Sequence, residues 1–288
     1  MRNRLKYLYW SEHIIGIIYN FLNSVRFIYK SKQLGLPLLK QNMDFKGSLK
    51  GKRCFVLGNG PSLNKHDLSV LKHEFVITCN TAVQLGQFEA INPNVHLWVD
   101  DCFFEETYVK YMKMVKEKSK DIISFFPLRQ RNFIQNNGID REISTRYFNY
   151  KYIFYENYKR PMDFTKTIIQ GFSVVEFGIA LAIFMEASEI YLLGCDCTGA
   201  ISHIKYMENG GGRAYAYAYK FSDAEAKKRI QTQIDRGNED FYYNQLKLFH
   251  HYRLWLDYCQ KRDIKLYNCS GGILREIPHV CFEEINFN

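Results

Sequence analysis

A short apolar run that ends in a glycine turn constrains the fold of this chain more than any other segment. Residues 53–58 are long enough for one buried strand, and the sequence Gly-Asn-Gly-Pro-Ser occupies positions 58–62. Glycines allow the backbone to approach a ligand closely, and Pro61 suits the first turn of a helix whose free N–H groups attract anions. The segment therefore predicts a nucleotide-phosphate site, although it matches neither the dinucleotide fingerprint nor the Walker A loop. A tight turn without a ligand is the alternative.

Apolar runs alternate with helical segments along the chain, and this alternation predicts a Rossmann-like α/β fold with a mostly parallel sheet flanked by helices. The predicted strands span residues 53–58, 75–79, 96–99, 122–126, 190–193 and 264–268, and the predicted helices span residues 62–72, 105–118, 173–187 and 223–261. Residues 128–165 are irregular and are interpreted as an insertion or lid. Residues 199–222 form a Gly/Tyr-rich loop whose length is typical of functional loops.

Residues 1–35 are predicted to form an amphipathic helix that contacts a membrane or a partner. Aromatic and aliphatic side chains are mixed there with six basic residues, a composition typical of a helix in the interface of an anionic membrane. A helix packed on the domain or on another subunit is the alternative. Residues 36–51 are expected to connect this helix to a single nucleotide-binding catalytic domain over residues 52–288.

The composition of the chain limits its cellular compartment and the kinds of partner it can bind. No apolar run reaches the ~18 residues of a membrane-spanning helix, and the N-terminus lacks the cleavage site of a signal peptide. The eight cysteines form no CxxC pair and no zinc-type cluster, which favours a reducing cytosol and a protein without a metal site. We therefore expect a cytoplasmic protein, peripheral on the inner face of the cell membrane. The formal charge of +9 favours anionic partners, but it is spread out and no nucleic-acid motif accompanies it.

Polar side chains follow four predicted strands at the point where each strand ends. They are Asn59, Asn80, the Asp100-Asp101 pair and Asp196. Because ligands of open α/β sheets bind outside the carboxyl ends of the strands, we expect these residues to converge on one nucleotide site. The carboxylates of Asp100 and Asp101 are candidates for holding Mg²⁺ beside phosphates, and hydrogen bonding to ribose hydroxyls is the alternative.

Several short segments carry a family resemblance over roughly residues 52–275. They are Val56-Leu57-Gly58-Asn59-Gly60-Pro61-Ser62-Leu63, Cys79-Asn80, Phe103-Phe104-Glu105, Ser173, Ala180-Leu181-Ala182, Glu189-Ile190-Tyr191-Leu192-Leu193-Gly194-Cys195-Asp196 and Ile264-Lys265-Leu266-Tyr267. Through them the chain resembles the bacterial CMP-sialic-acid-dependent sialyltransferases and a wider group of pterin-pyrophosphokinase-like proteins. The resemblance implies a metal-independent transfer of sugar from a CMP-linked donor.

The same resemblance implies roles for residues of the nucleotide site. Asn59 and Ser62 would hold phosphate and ribose, and Asn80 would contact the donor sugar or its phosphate. Ser173 would contact the donor carboxylate or phosphate. The nucleotide-binding set is therefore Gly58, Asn59, Gly60, Ser62, Asn80, Ser173 and Asp196.

The catalytic groups are expected on the long loop. The family uses a His base and two Tyr hydroxyls on the departing phosphate, and this chain has neither at the family positions. His203 is the favoured base because it follows a strand end and a His near neutral pKa suits removal of a hydroxyl proton; His250 and His251, in the last helix, are the alternatives. Candidates for contact with the departing phosphate are Tyr206, Tyr215, their neighbours Tyr217 and Tyr219, and Arg213, whose planar fork suits phosphate.

Three functions fit these observations. The favoured one is a glycosyltransferase that uses a nucleotide-sugar donor, without a cofactor, to extend a bacterial surface glycan or a lipid-linked glycan. The second is a phospho- or diphosphotransferase that needs a nucleoside triphosphate and Mg²⁺. The third is a non-catalytic nucleotide-binding protein. Metal dependence distinguishes the first two, and a homo-oligomer is compatible with each of the three.

Overall fold

The computed structural model describes residues 2–29, 35–199, 201, 217–220 and 223–287, and the side chains of residues 2–12, 27, 28 and 223–237 lie outside that description. The strands are β1 (Arg53–Leu57), β2 (Phe75–Cys79), β3 (Val95–Leu97), β4 (Ile123–Pro127), β5 (Thr145–Tyr152), β6 (Thr167–Ile169), β7 (Glu189–Leu193) and β8 (Lys265–Asn268). The helices are α1 (Arg2–Tyr29), α2 (Leu36–Lys40), α3 (Phe88–Ile91), α4 (Glu106–Lys118), α5 (Arg131–Asn136), α6 (Ile139–Glu142), α7 (Val174–Phe184) and α8 (Asp223–Gln260).

The eight strands form one sheet in the order β6-β5-β4-β3-β2-β1-β7-β8, and each neighbouring pair is parallel. The predicted Rossmann-like α/β architecture is thereby confirmed. Strands β1 to β6 are added one after another on one side, whereas β7 and β8 lie on the other side of β1. The strand order therefore changes direction between β1 and β7, and such a switch point is where a crevice forms at the carboxyl ends of the strands.

Helices cover both faces of the sheet, so the central strands are apolar on both sides. Phe55 and Leu57 of β1 belong to a cluster that includes Met112 of α4. Val56, on the opposite face, belongs to a cluster that includes Trp255 of α8. Successive residues of a strand point to opposite faces, and two buried faces explain why β1 is a continuous apolar run.

Residues 128–165, predicted as an insertion or lid, extend the sheet instead. They contribute β5, which pairs with β4, and β6 follows at residues 167–169, where the sequence pattern predicted no strand. In β5, Tyr147 and Phe148 are buried, whereas Arg146 and Asn149 are half-buried. Because β5 lies toward the edge of the sheet, it tolerates polar residues that mask the strand pattern.

Helix α1 docks on the domain through a buried asparagine. Asn20 is 0% exposed; its Nδ2 donates to the carbonyl oxygen of Ile153 (2.9 Å), and its Oδ1 accepts the Ile153 N–H (2.8 Å). Ser24 Oγ lies 3.0 Å from the hydroxyl of Tyr152. The C-terminal half of the helix is thus held against the end of β5. Among the described residues, no helix has the length and apolar character required to cross a membrane.

The predicted connector, residues 36–51, is part of the packed core. It contains α2 and a 3₁₀ segment, Gln41–Phe45, and Leu39 is fully buried. The buried Asn42 donates through Nδ2 to the carbonyl oxygens of Tyr147 (2.7 Å) and Phe164 (2.9 Å). These residues therefore fasten β5 and the segment before β6.

We expect Asn20→Ala to release α1 from the domain. The substitution leaves the N–H and the carbonyl of Ile153 without their partner, at a cost of about 1–3 kcal/mol. Hydrogen exchange followed by mass spectrometry should show faster exchange in α1, with β1 and β2 still protected. Asn23→Ala is the matched control, because Asn23 Nδ2 bonds to Tyr19 O within the same helix. Equal exchange in α1 of both variants would show that Asn20 does not hold the helix.

Candidate functional site

A cleft of about 810 Å³ lies at the carboxyl ends of the strands, across the switch point between β1 and β7. This volume falls in the range of small-molecule sites. The cleft brings together nine of the residues predicted from the sequence, which are Gly58, Asn59, Gly60, Asn80, Asp100, Asp101, Ser173, Asp196 and Tyr217. Lining residues that the sequence analysis missed include Tyr108, Arg129, Tyr150, Phe172, Asn244 and Tyr252.

The glycine turn packs against the turn after β7. Gly58 N donates to Leu193 O (2.7 Å), and Gly60 N donates to Gly194 O (2.8 Å). A Cβ on Gly58 would lie 2.5 Å from Gly194 O, so this contact requires glycine. The two turns therefore touch backbone to backbone.

The predicted phosphate cradle differs in the structure. The N–H groups of Gly58 and Gly60 are already paired, and Ser62 N donates to Asp196 Oδ2 (2.9 Å). The expected helix over residues 62–72 is instead two 3₁₀ segments, Pro61–Lys65 and Leu68–His73. A five-residue 3₁₀ turn lacks the aligned N–H groups of a long α-helix, so the helix dipole that the sequence suggested is absent here.

Acceptor oxygens without a partner among the described residues are present instead, at Asn59 and Asp196 in the cleft lining and at Ser62 outside it. Asn59 Oδ1, Asp196 Oδ1 and the Ser62 hydroxyl are buried and have no hydrogen-bond partner among the described residues. Asp196 is 4% exposed. A buried oxygen without a partner is costly, so these atoms favour a bound donor such as a ribose hydroxyl, a base amino group or a cation.

Asn80 acts as a clamp between β2 and β3. It has a left-handed backbone (φ 51°), its Oδ1 accepts the Val99 N–H (3.1 Å), and its Nδ2 donates to Asp100 Oδ2 (2.8 Å). Its carbonyl accepts a hydrogen bond from His96 Nε2 (2.7 Å), and burial lowers the pKa of His96 to about 3. His96 is therefore neutral at pH 7. The Asn80 side chain, predicted to contact the donor, orients Asp100 in this structure.

Asp101, Arg129 and Tyr150 form one wall of the cleft. Asp101 Oδ1 accepts from Arg129 Nε (3.1 Å), from Arg129 Nη2 (2.8 Å) and from Gln130 Nε2 (2.8 Å). The Arg129 guanidinium lies 4.8 Å from the centre of the Tyr150 ring, and burial raises the pKa of Tyr150 to about 12. Asp100 and Asp101 thus have different partners. Among the described residues, no group of three or more His, Cys, Asp and Glu is placed to hold a metal ion.

The loop before α7 is held by a buried carboxylate. Glu176 is 0% exposed, and its Oε1 accepts the N–H groups of Phe172 (2.8 Å) and Ser173 (3.0 Å). Its Oε2 accepts from His251 Nδ1 (2.8 Å) and Trp255 Nε1 (3.1 Å). Ser173 Oγ in turn accepts the Val175 N–H (3.2 Å), which completes a capping box. The Ser173 side chain, predicted to bind the donor, caps α7 here.

His250 lies outside the lining of the cleft. It is buried in α8, Arg253 Nη2 lies 2.8 Å from its Nδ1, and burial together with the Arg253 charge lowers the pKa of His250 to about 3. The other predicted catalytic residues are outside the described residues, namely His203, Tyr206, Arg213 and Tyr215.

The described end of the long loop crosses the glycine turn. Ala218 N donates to Asn59 O (3.0 Å), Asn64 Nδ2 donates to Ala218 O (2.8 Å), and the hydroxyls of Tyr219 and Thr81 are 2.7 Å apart. Tyr217 lines the cleft beside them. These bonds place one of the loop tyrosines named above at the site.

The fold and the cleft define a class, an open α/β protein with a cleft at its switch point. The family model described as 6-hydroxymethylpterin diphosphokinase MptE-like matches residues 25–200, and the chain belongs to this family. The expected resemblance to pterin-pyrophosphokinase-like proteins is thereby confirmed, whereas this match does not support the finer resemblance to sialyltransferases. Family membership indicates a transferase-type enzyme. No curated protein and no solved structure matches the chain significantly.

Proposed function

We propose that this protein transfers a diphosphate group from a nucleoside triphosphate to the hydroxyl of a small ring-bearing acceptor, with Mg²⁺ as cofactor. The observation that carries the proposal is the charge of the cleft. Among the described lining residues, three are Asp and the cation is Arg129, which is already paired with Asp101. The family description, which names a diphosphokinase, supports the same reaction class.

The groups that line the cleft disfavour binding of a polyphosphate chain without a cation. The N–H groups of Gly58, Gly60 and Ser62 are paired within the protein, and the carboxylates of Asp100 and Asp196 line the same cleft. Like charges in such a cleft repel a polyphosphate by several kcal/mol unless a cation lies between them. A divalent cation bound between them would remove this repulsion, and the carboxylates of Asp100 and Asp196 would then be its ligands.

The residues present fit Mg²⁺, which binds through one or two carboxylates together with substrate phosphates. Asp100 and Asp101 line the cleft in the segment after β3, and Asp196 Oδ1 is buried without a partner among the described residues. When bound, Mg²⁺ supplies charge neutralisation for the transferred diphosphate. Asn59, which lines the cleft, would accept a hydrogen bond from the nucleoside through its Oδ1, which has no partner among the described residues.

The transfer itself forms one bond and breaks one. The acceptor oxygen attacks the β-phosphorus, the bond from that phosphorus to the α–β bridging oxygen breaks, and a nucleoside monophosphate leaves. The hydroxyl proton passes to a cleft carboxylate. Phe172 is 44% exposed at the cleft and Tyr150 forms its wall, so a flat heterocyclic acceptor can stack there. The pterin in the family description is such a ring.

Sugar transfer from a CMP-linked donor is the second candidate. Tyr217 favours it, because the loop that carries Tyr217 is bonded to the glycine turn through Ala218, and the sialyltransferase-like reaction needs tyrosine hydroxyls on the departing phosphate. That reaction needs no metal ion. Metal dependence therefore separates the two candidates.

We expect ATP or GTP to raise the melting temperature only when Mg²⁺ is present. A ligand at 100 times its dissociation constant stabilises the folded state by about 2.7 kcal/mol, which a thermal-shift measurement detects. CMP and CDP, each with EDTA, are the comparison ligands. Incubation with Mg²⁺, a nucleoside triphosphate and 6-hydroxymethylpterin should release a nucleoside monophosphate, which ³¹P NMR detects.

The test variant carries both Asp100→Asn and Asp101→Asn, and the matched control is the single variant Asp121→Asn. The double variant removes two cleft carboxylates and should weaken Mg²⁺–nucleotide binding about tenfold or more, since each 1.4 kcal/mol is tenfold. Asp121 is exposed at the opposite end of β4 and should leave binding unchanged. Stabilisation by CMP in EDTA, with none from Mg²⁺–ATP or Mg²⁺–GTP, would overturn the proposal in favour of the CMP-linked donor.

A further inference from the structure

Helix α1 presents an apolar stripe on the side away from the domain. The stripe consists of Ile14, Ile15, Ile17, Ile18, Phe21 and Leu22, which are 41–62% exposed. At 3.6 residues per turn these six positions cover an arc of about 160°. Large apolar side chains in one contiguous exposed patch mark an interaction surface rather than ordinary surface composition.

The opposite side of the helix is fixed, so the orientation of the stripe is fixed too. Gly16 lies against Tyr155, where a Cβ would be 2.7 Å from Tyr155 Cδ1, and Asn20 and Ser24 bond to the end of β5 and the residue after it. The His13 ring lies 4.8 Å from the Tyr155 ring. These residues hold one narrow face of α1 against the domain, and the stripe points away from it.

Basic residues adjoin the docked helix. Arg160 Nη1 donates to Ser24 Oγ (2.5 Å), and Arg262 Nη2 donates to the carbonyl of the neighbouring Lys159 (3.4 Å). Residues 153–160 and 253–263 contain five basic and three acidic residues, and α1 itself contains four basic residues and one acidic residue. Helix α1 and the domain segments beside its docked face therefore carry a net positive charge in sequence.

We propose that this stripe docks on an anionic lipid bilayer, with the helix lying in the plane of the interface. An exposed apolar arc with a cationic surround is the combination that buries side chains at the acyl boundary while the basic groups contact acidic headgroups. The domain contacts set the depth of insertion, because Asn20 and Ser24 keep the opposite face of α1 on the protein. The proposal is independent of the reaction in the cleft.

The test is sedimentation of the full chain with vesicles of phosphatidylcholine alone and with 30 mol% phosphatidylserine. The wild type should bind the anionic vesicles, and raising the salt from 0.1 to 0.5 M should weaken binding several-fold because the Debye length shortens. Ile18→Glu with Phe21→Glu should lower the partition coefficient about tenfold or more, since two large apolar groups are no longer buried. Met43→Glu with Val70→Glu is the matched control, at exposed apolar positions elsewhere on the domain.

Two further measurements make the outcome decisive. An unchanged melting temperature shows that the variants fold. The milder double variant, Ile15→Ser with Leu22→Ser, should also bind anionic vesicles more weakly than the wild type. The proposal would be overturned if the wild type did not bind anionic vesicles, or if the stripe and control variants bound them equally. A dimer that dissociates on Ile18→Glu with Phe21→Glu, without vesicle binding, would assign the stripe to a second copy of the chain and would also overturn it.

Discussion

Glu176→Ala is expected to lower the free energy of unfolding by about 3–5 kcal/mol, because it removes the acceptor for two buried and two part-buried donors. The N–H groups of Phe172 and Ser173, the His251 ring and the Trp255 indole would each lose their partner. Urea denaturation followed by tryptophan fluorescence measures the loss. Since Glu176 also holds the loop over residues 171–173, nucleotide affinity should fall as well.

The comparison for this variant is Glu117→Ala, an exposed position on α4. That substitution should change stability by less than about 0.5 kcal/mol, the usual range for surface positions. Glu176→Gln keeps one acceptor oxygen, so its free energy of unfolding should lie between those of Glu176→Ala and Glu117→Ala. If Glu176→Ala were as stable as Glu117→Ala, the buried hydrogen bonds of Glu176 would contribute little to the fold.

Gly60→Ala is expected to destabilise the protein by about 1–3 kcal/mol and to abolish most nucleotide binding. The backbone of Gly60 is ordinary (φ −70°, ψ 152°), so the effect comes from packing alone. A Cβ there would collide with Asp196 Oδ2 and would lie 2.6 Å from Gly194 O. The glycine turn would have to move away from the β7 turn, and Asp196 would be displaced.

Gly86→Ala is the matched control, because nothing lies within 4 Å of a Cβ at Gly86. Melting temperature and nucleotide affinity of the two variants should be compared side by side. A Gly60→Ala protein that binds Mg²⁺–nucleotide like the wild type would show that contact between the two turns is not required for the site. Loss of stability with unchanged affinity would show the same.

Part of this architecture is readable from local sequence signals. The apolar runs at β1, β2, β4, β7 and β8 predicted strands, and the residues after β1, β2, β3 and β7 predicted which side chains meet in the cleft. The reason is that strand ends of a parallel sheet share one edge, so chain position alone indicates convergence. The sequence did not predict β5, because Arg146, Asn149 and Lys151 interrupt its apolar pattern.

The details of the cleft depended on contacts between distant segments. The sequence identifies the Gly-Asn-Gly turn, but Gly60 N pairs with Gly194 O, and Ser62 N with Asp196, across more than 130 residues. The missed residues Arg129 and Tyr150 come from a segment whose strand the sequence did not reveal. The alternating aromatic residues Phe148, Tyr150 and Tyr152 were the available signal, and such alternation is too common to specify a site.

By itself, the sequence determined the fold class and the location of the cleft. Hydrophobic periodicity and turn-forming residues are local properties of the chain and do not depend on contacts with a distant segment. Only the tertiary structure decided what the cleft offers a ligand. Paired N–H groups at Gly58 and Gly60, and oxygens of Asn59 and Asp196 that have no partner in the described part of the chain, favour a cation-bridged ligand over a bare anion. The physical reason is that a backbone group can bind a ligand only if no nearer protein group has taken its hydrogen bond, and the partner here comes from a distant part of the chain.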